Sequence, residues 1–223
     1  MKKKQLLTKK MMAKRLKWAR EHINKPVEFW RNVLFSDESY INLFGGHKIY
    51  ARRPIGTGFA SQFLRQSPKH PLKVMIWGCF SSKGVGRIKV VEGTMKSDDY
   101  INVLDTKMIP SARDMFPRGN YVFQDDGAPC HRSKKVKDWH ANNRTNLLDW
   151  PGNSPDMNPI ENLWAILKIK VRNKMPSSRT SLIAAIIRCW FDEITPELCL
   201  KLADSMPKRL QSVIANKGGH TKY

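Results

Sequence analysis

Asp37 sits inside an apolar, strand-like run, Asn32-Val33-Leu34-Phe35-Ser36-Asp37-Glu38-Ser39, and two further acids are placed in comparable settings. Asp126 ends a second such run, Tyr121-Val122-Phe123-Gln124-Asp125-Asp126. Glu161 opens an amphipathic helical stretch after Ser154-Pro155-Asp156-Met157-Asn158-Pro159-Ile160. Carboxylates at apolar strand ends and a helix start are costly unless something cationic gathers them. The pattern therefore favours a fold in which two strands and one helix deliver their acids to a common place. Two divalent metal ions would hold such a set, and paired ions are how many nucleases and polymerases run in-line displacement at phosphorus.

Each acid has a rival. With a period of two, Val33, Phe35 and Asp37 share one strand face, and Leu34, Ser36 and Glu38 the other. Parity favours Asp37 over its neighbour Glu38. Alternation does not separate Asp125 from Asp126, and adjacent acids before Gly127 are also ordinary turn formers. Around Glu161, Asn158 is a good N-cap, Pro159 suits the first helical position, and Glu161 completes a capping box. Ile160, Leu163, Trp164, Leu167 and Val171 form the apolar stripe of that helix, with Glu161 at its edge. His131 reads as a surface or helix-start histidine, with metal ligation the lesser alternative. Asp156, close to two prolines, reads as a turn residue.

Lys and Arg number 40 against 19 Asp and Glu, a formal charge of +21. A field of that sign attracts polyphosphate and favours counterion release on a nucleic-acid backbone. The 223 residues, 41% of them hydrophobic, suit one domain with extensions. Cys79, Cys130, Cys189 and Cys199 form no Cys-x-x-Cys pair, so they read as reduced intracellular thiols rather than zinc ligands. The first ten residues lack the apolar core of a secretory signal, and the longest aliphatic stretch, Leu182 to Ile187, is too short to span a bilayer. A soluble intracellular protein is expected. The Lys2–Lys4 and Lys9–Lys10 clusters would suit import into the nucleus.

Residues 1–27 read as a basic helical linker, 28–175 as the main α/β domain with an insertion at 45–72, and 176–223 as a helical extension. After the strand that carries Asp37 comes a loop-rich stretch with Arg52, Arg53, Arg65 and Lys69 and a short strand candidate at Ile49–Arg52. A β-hairpin follows, Val74–Phe80 with Arg87–Val91 around Ser81-Ser82-Lys83-Gly84. A helix capped near Ser97-Asp98-Asp99 should break at Pro110. Then come strands at Tyr121–Gln124 and Asn146–Leu148 and helices at Ser133–Ala141 and from Pro159 to about Asn173. Two more helices, Leu182–Asp192 and Pro196–Ala215, precede a tail, Lys217-Gly218-Gly219-His220, that looks loose. The order is that of a ribonuclease H-like mixed sheet flanked by helices, an arrangement that brings the first strand, the fourth strand and the last helix to one edge.

Ser36-Asp37-Glu38-Ser39, Val74 to Phe80, Gln124-Asp125-Asp126-Gly127-Ala128-Pro129-Cys130-His131, Leu147-Leu148-Asp149-Trp150-Pro151 and Ser154 to Trp164 together resemble the catalytic domain of Tc/mariner-superfamily transposases. The closing Lys217 to Tyr223 resembles the end of the Tc branch. The resemblance runs from about residue 10 to 223 in the family's order. It implies that two Asp and one Glu bind two Mg²⁺ or Mn²⁺ ions and serve DNA strand cleavage and strand transfer. In the Tc branch 34 residues separate the second and third acids, as they do between Asp126 and Glu161. On that match Asp37, Asp126 and Glu161 are both catalytic and metal-binding. The resemblance further implies DNA as partner, a homodimer on DNA, no small-molecule cofactor, and a clamp-like role for the insertion at 45–72. Arg52, Arg53, Arg65 and Lys69 are its candidate DNA contacts. Two departures stand out: 36 residues precede Asp37 where the family has paired helix-turn-helix modules, and Gly127 stands where the branch often has Asn. A truncated or domesticated DNA-binding relative without catalysis is the alternative.

Overall fold

The computed structural model describes residues 6–43, 56 and 72–223. The Lys2–Lys4 cluster, the strand expected at Ile49–Arg52, nearly all of the insertion at 45–72, and Arg52, Arg53, Arg65 and Lys69 lie outside those residues.

β-branched and aromatic residues, Val33, Phe35, Tyr40 and Ile41 in one and Val74, Ile76, Trp77 and Phe80 in the other, favour the long first strand, β1 (Val33–Asn42), and its neighbour β2 (Lys73–Ser81). The two run antiparallel, β2 pairs antiparallel with β3 (Gly84–Val91), and β1 pairs parallel with the short β4 (Val122–Gln124). The order across the sheet is β3-β2-β1-β4. The expected strand at Asn146–Leu148 shrinks to a single parallel bridge between Leu147 and Phe123. Its partner β4 is only three residues long, so it offers little ladder to extend.

Period-two alternation sorts β1 between two apolar clusters. Val33, Phe35 and Ile41 belong to the first, with residues of α6 (Ile160–Asn173), α7 (Arg179–Asp192), α8 (Pro196–Ala203), α9 (Met206–Ala215) and α1 (Lys9–His22). Leu34 belongs to the second, with Trp77, Cys79 and residues of α3 (Ser97–Val103), α4 (Ile109–Met115) and α5 (Lys134–Asn142). A sheet covered by helices on both faces follows from this division.

Three expectations are corrected. The helix after Ser97 does not break at Pro110: a π-helical turn, Leu104–Met108, links α3 to α4. Ile109 donates to the Leu104 carbonyl five residues back, which widens the turn where the proline ring would otherwise clash. The last long helix is two, because Ser205 turns back on Leu202 through both its amide and its hydroxyl, and Pro207 starts the first turn of α9. The tail is not loose. Arg15, fully buried on α1, donates to the carbonyls of Gly218 at 2.9 Å and Gly219 at 3.1 Å. Gly218 has φ +84°, and a Cβ there would lie 2.0 Å from the Met12 carbonyl oxygen, so no side chain fits.

The stretch expected as a linker is likewise part of the packed body. α2 (Val27–Arg31) follows α1, whose Arg15, Trp18 and Ala19 are buried. Arg15 grips Asp156 with two bonds of 2.8 Å, and Asp156 also accepts the Thr221 N–H at 2.8 Å. Arg209 of α9 donates to the Asp156 carbonyl and to Asn162 Oδ1. Asp156 is thus the anchor by which α1, α9 and the C-terminal tail hold the loop ahead of α6.

Candidate active site

Register carries Asp37 and Asp126 to the same level of the sheet. Phe35 pairs with Gln124, so the acids two residues beyond each stand side by side past the end of β4. Glu161 arrives from the first turn of α6, which packs on the Asp37 face of β1. Burial pushes the Asp37 carboxyl well above its ordinary range, and Glu161, Glu38 and Asp126 push it the same way. Burial also raises Glu161, with Asp126 adding to the rise and Lys168 opposing it. The three acids singled out by sequence therefore sense one another. Burial raises Asp125, and Asp126 and Glu38 add to the rise, while His131 and the Gly127 N–H, which its Oδ1 accepts at 2.8 Å, oppose it.

The capping box at Glu161 does not form. Pro159 occupies the cap position and offers no side-chain acceptor. Asn158 divides its side chain between two partners: its amide donates to the Ser36 carbonyl at 3.1 Å, and its Oδ1 accepts the N–H of Ile160, the first residue of α6. The residue that would have paired with Glu161 ties the α6 loop to β1, one residue from Asp37. The Glu161 side chain is left at the edge of the cleft.

Asp37 is held by a different donor. Trp164, one turn after Glu161, donates its indole N–H to Asp37 Oδ2 at 3.0 Å. That bond opposes the rise of the Asp37 carboxyl.

On the opposite face lies a partnership that sequence reasoning missed. His131 is buried, stacked on Tyr100 at 3.8 Å, with Nδ1 2.9 Å from Asp126 Oδ1 and Nε2 3.3 Å from Glu38 Oε1. Neither ring nitrogen is aimed in line at its acid, so these are ion-pair contacts rather than well-directed hydrogen bonds. Burial works against the charged ring, but Asp126, Cys130 and Glu38 outweigh it and push His131 up to about 12. The imidazolium and the Ala128 N–H in turn hold Asp126 below its usual range against the effect of burial. Glu38, Asp126 and His131 place ligand-type atoms within 4.8 Å of one another. The signal was present in strand parity, which puts Glu38 on the second face, but nothing local to His131 revealed its burial. Gly127 takes φ +64°, a backbone shape that Asn also tolerates, which accounts for the departure at that position.

The class of protein follows from the comparisons. Residues 32–183 match the family model described as DDE superfamily endonuclease. The chain is 39% identical over 223 residues to the transposable element Tcb1 transposase of Caenorhabditis briggsae, covering 99% of this chain and 81% of that protein. It is 36% identical to the transposable element Tc1 transposase of Caenorhabditis elegans with the same coverage. A crystal structure of the Mos1 mariner paired end complex with Mn superposes with a TM-score of 0.85 at 17% identity, over 100% of this chain and 67% of that one. The fold is ribonuclease H-like, and the chain belongs to the DDE superfamily of endonucleases. Within it, the chain is a transposase catalytic domain similar to those of the Tc elements. Among the described residues no helix is long and apolar enough to cross a membrane.

Proposed function

We propose that this chain cleaves and joins DNA strands with two divalent ions, Mg²⁺ or Mn²⁺, held by Asp37, Asp126 and Glu161. The observation that carries the reading is the setting of Asp37. It is a half-buried residue whose carboxyl is disfavoured as an anion by burial and by three more carboxylates, with a neutral indole N–H opposing them. Among the described residues, the cations that act on its neighbours are His131 and Arg132 at Asp126 and Lys168 at Glu161. An all-carboxylate donor set of this kind fits hard divalent cations. The fold neighbours include Mos1 complexes with Mg and with Mn.

Bound there, the ions would supply Lewis-acid stabilisation of charge developing at phosphorus and at the entering and leaving oxygens. The chain's own contribution is placement. β1 and β4 fix the two aspartates at one level, Asn158 locks the loop before α6 onto β1, and Glu161 is thereby presented from the helix start. Glu161 also orients the attacking water, and the 3′-hydroxyl freed by cleavage is the nucleophile of strand transfer. The surplus of 40 basic over 19 acidic residues supplies backbone affinity for DNA, on which the chain pairs as a homodimer.

A cleavage assay on DNA duplex and on an RNA–DNA hybrid, with and without Mn²⁺, tests the reading. Metal-dependent nicking of DNA alone is expected. Cutting confined to the hybrid would indicate a ribonuclease H-type nuclease, and binding without cutting would indicate a non-catalytic relative.

A further inference from the structure

We propose that Trp164 and Gly78 form a positioning device for Asp37: the glycine opens the sheet surface so that the indole can cross it and fix one carboxylate oxygen. This inference rests on the proposed metal role of Asp37.

Three observations converge. Gly78 is the cross-strand partner of Asp37 in the β1–β2 register. A Cβ at Gly78 would lie 2.8 Å from Trp164 Cη2 and 3.2 Å from Trp190 Cη2, too close for the rings to stay where they are. Directly opposite Asp37 the sheet therefore has a bare patch, and two stacked indoles fill it, 5.2 Å apart and 27° from parallel. Trp190 is anchored from behind by its own N–H, which donates to the Gly86 carbonyl at 2.8 Å. Trp164 is fully buried yet directs its N–H at Asp37 Oδ2.

An indole donates and never accepts, so it can only present itself to a carboxylate oxygen. With Oδ2 occupied, Asp37 loses rotational freedom about its terminal bond and presents Oδ1 as the ligand oxygen. An aromatic side chain suits this task because it packs into the core with few rotatable bonds while its polar edge reaches the cleft. Metal affinity depends on such supporting hydrogen bonds, whose removal typically costs 10- to 100-fold. Trp164 touches neither DNA nor reacting atoms in this scheme. It is a positioning residue.

The test uses Mn²⁺ alone and the whole chain, with binding read by calorimetry and folding by circular dichroism. Trp164→Phe keeps a ring on Trp190 and loses the N–H; Mn²⁺ affinity should fall roughly tenfold. Trp190→Phe disturbs the same stack and loses a bond to Gly86 instead, so it should leave Mn²⁺ affinity within about twofold. Equal losses in the two variants, or none in Trp164→Phe, would overturn the proposal by showing the stack to be packing alone. Asp37→Asn separates the two levels of the argument. Wild-type binding that vanishes in Asp37→Asn while Trp164→Phe binds normally sinks the positioning role and spares the metal site. Absence of Mn²⁺ binding in the wild-type chain sinks both. Should Trp164→Phe fail to fold, the wild-type chain carries the test by NMR: Mn²⁺ should broaden one indole N–H signal first among the seven tryptophans. Uniform behaviour of all indole signals would contradict the proposal.

Discussion

The two faces of the sheet treat their polar groups differently. On the α6 face, Arg15, Asp156, Arg209, Asn158, Trp164 and Trp190, the polar groups around Asp37 and the loop before α6, are buried or nearly so and hydrogen-bonded, and the unpartnered indoles of that face, Trp18 and Trp30, belong to α1 and α2. On the α3–α5 face, the Tyr100 hydroxyl, the Trp77 indole and both nitrogens of His140 are buried without a hydrogen-bond partner. The first face is a clamp that fixes Asp37 and Glu161. The second holds Asp126 and Glu38 through one charged histidine. A carboxylate held by neutral donors and backbone ties keeps its position when charge around it changes, whereas one held by an ion pair responds to every nearby charge.

The largest effect should come from breaking the clamp. Arg15 is fully buried and its partner side chain Asp156 only 8% exposed, so Arg15→Met leaves a buried carboxylate without its cation. Such a loss costs about 3–5 kcal/mol, to be read by urea unfolding. A loss below about 1 kcal/mol would mean that the tail and loop relax freely and the clamp is not rigid.

The two faces should also lose stability in different pH windows. Burial lowers His140 to about 4 from its ordinary 6.5, with His131 adding to the effect. Its folded value is depressed, so its contribution is fully present above pH 6.5 and disappears as pH falls towards 4, on the order of 3 kcal/mol. His140→Leu should flatten the stability profile across that window. Asp156 is pushed up by burial, but Arg15 and Thr221 more than reverse this and hold it below 3.8. Its contribution is present above 3.8 and lost only as pH falls through the lower folded value. Asp156→Asn should therefore change the profile in acid below 3.8 and leave the shape of the 6.5-to-4 window intact. Identical profiles for the two variants would erase the contrast between the faces.

The smallest effect belongs to the solvent side of the α3–α5 layer. Lys135 and Asp98 pair at 2.9 Å with both side chains about 70% exposed, and Lys135→Ala should leave the unfolding midpoint unchanged.

What the sequence disclosed follows the same division. Strand parity placed Asp37 on the α6 face because a period of two is a local property of the backbone. The apolar stripe from Ile160 to Val171 appeared as a helix for the corresponding reason. Asn158 misled because its side chain serves two partners: its Oδ1 accepts the Ile160 N–H at the helix start, while its amide reaches a carbonyl of β1, 122 residues away. Asp156 and the tail misled in the same way, since Arg15 joins them across 141 and more than 200 residues. Gly78 looked like any strand glycine until the Trp164 ring lay over it. Long-range partners of polar side chains leave no periodic trace, and the clamp is made of them.

The central claim is that Asp37, Asp126 and Glu161, rather than their acidic neighbours, hold divalent metal. The most direct measurement is the shift in melting temperature on adding millimolar Mn²⁺ to the wild-type chain, Asp126→Asn and Asp125→Asn, since an ion that binds only the folded state raises its stability. The shift should be retained in Asp125→Asn and largely lost in Asp126→Asn, whose metal-free form should be less stable than the wild type because it loses the ion pair with His131. A shift that survives in Asp126→Asn and disappears in Asp125→Asn would contradict the account.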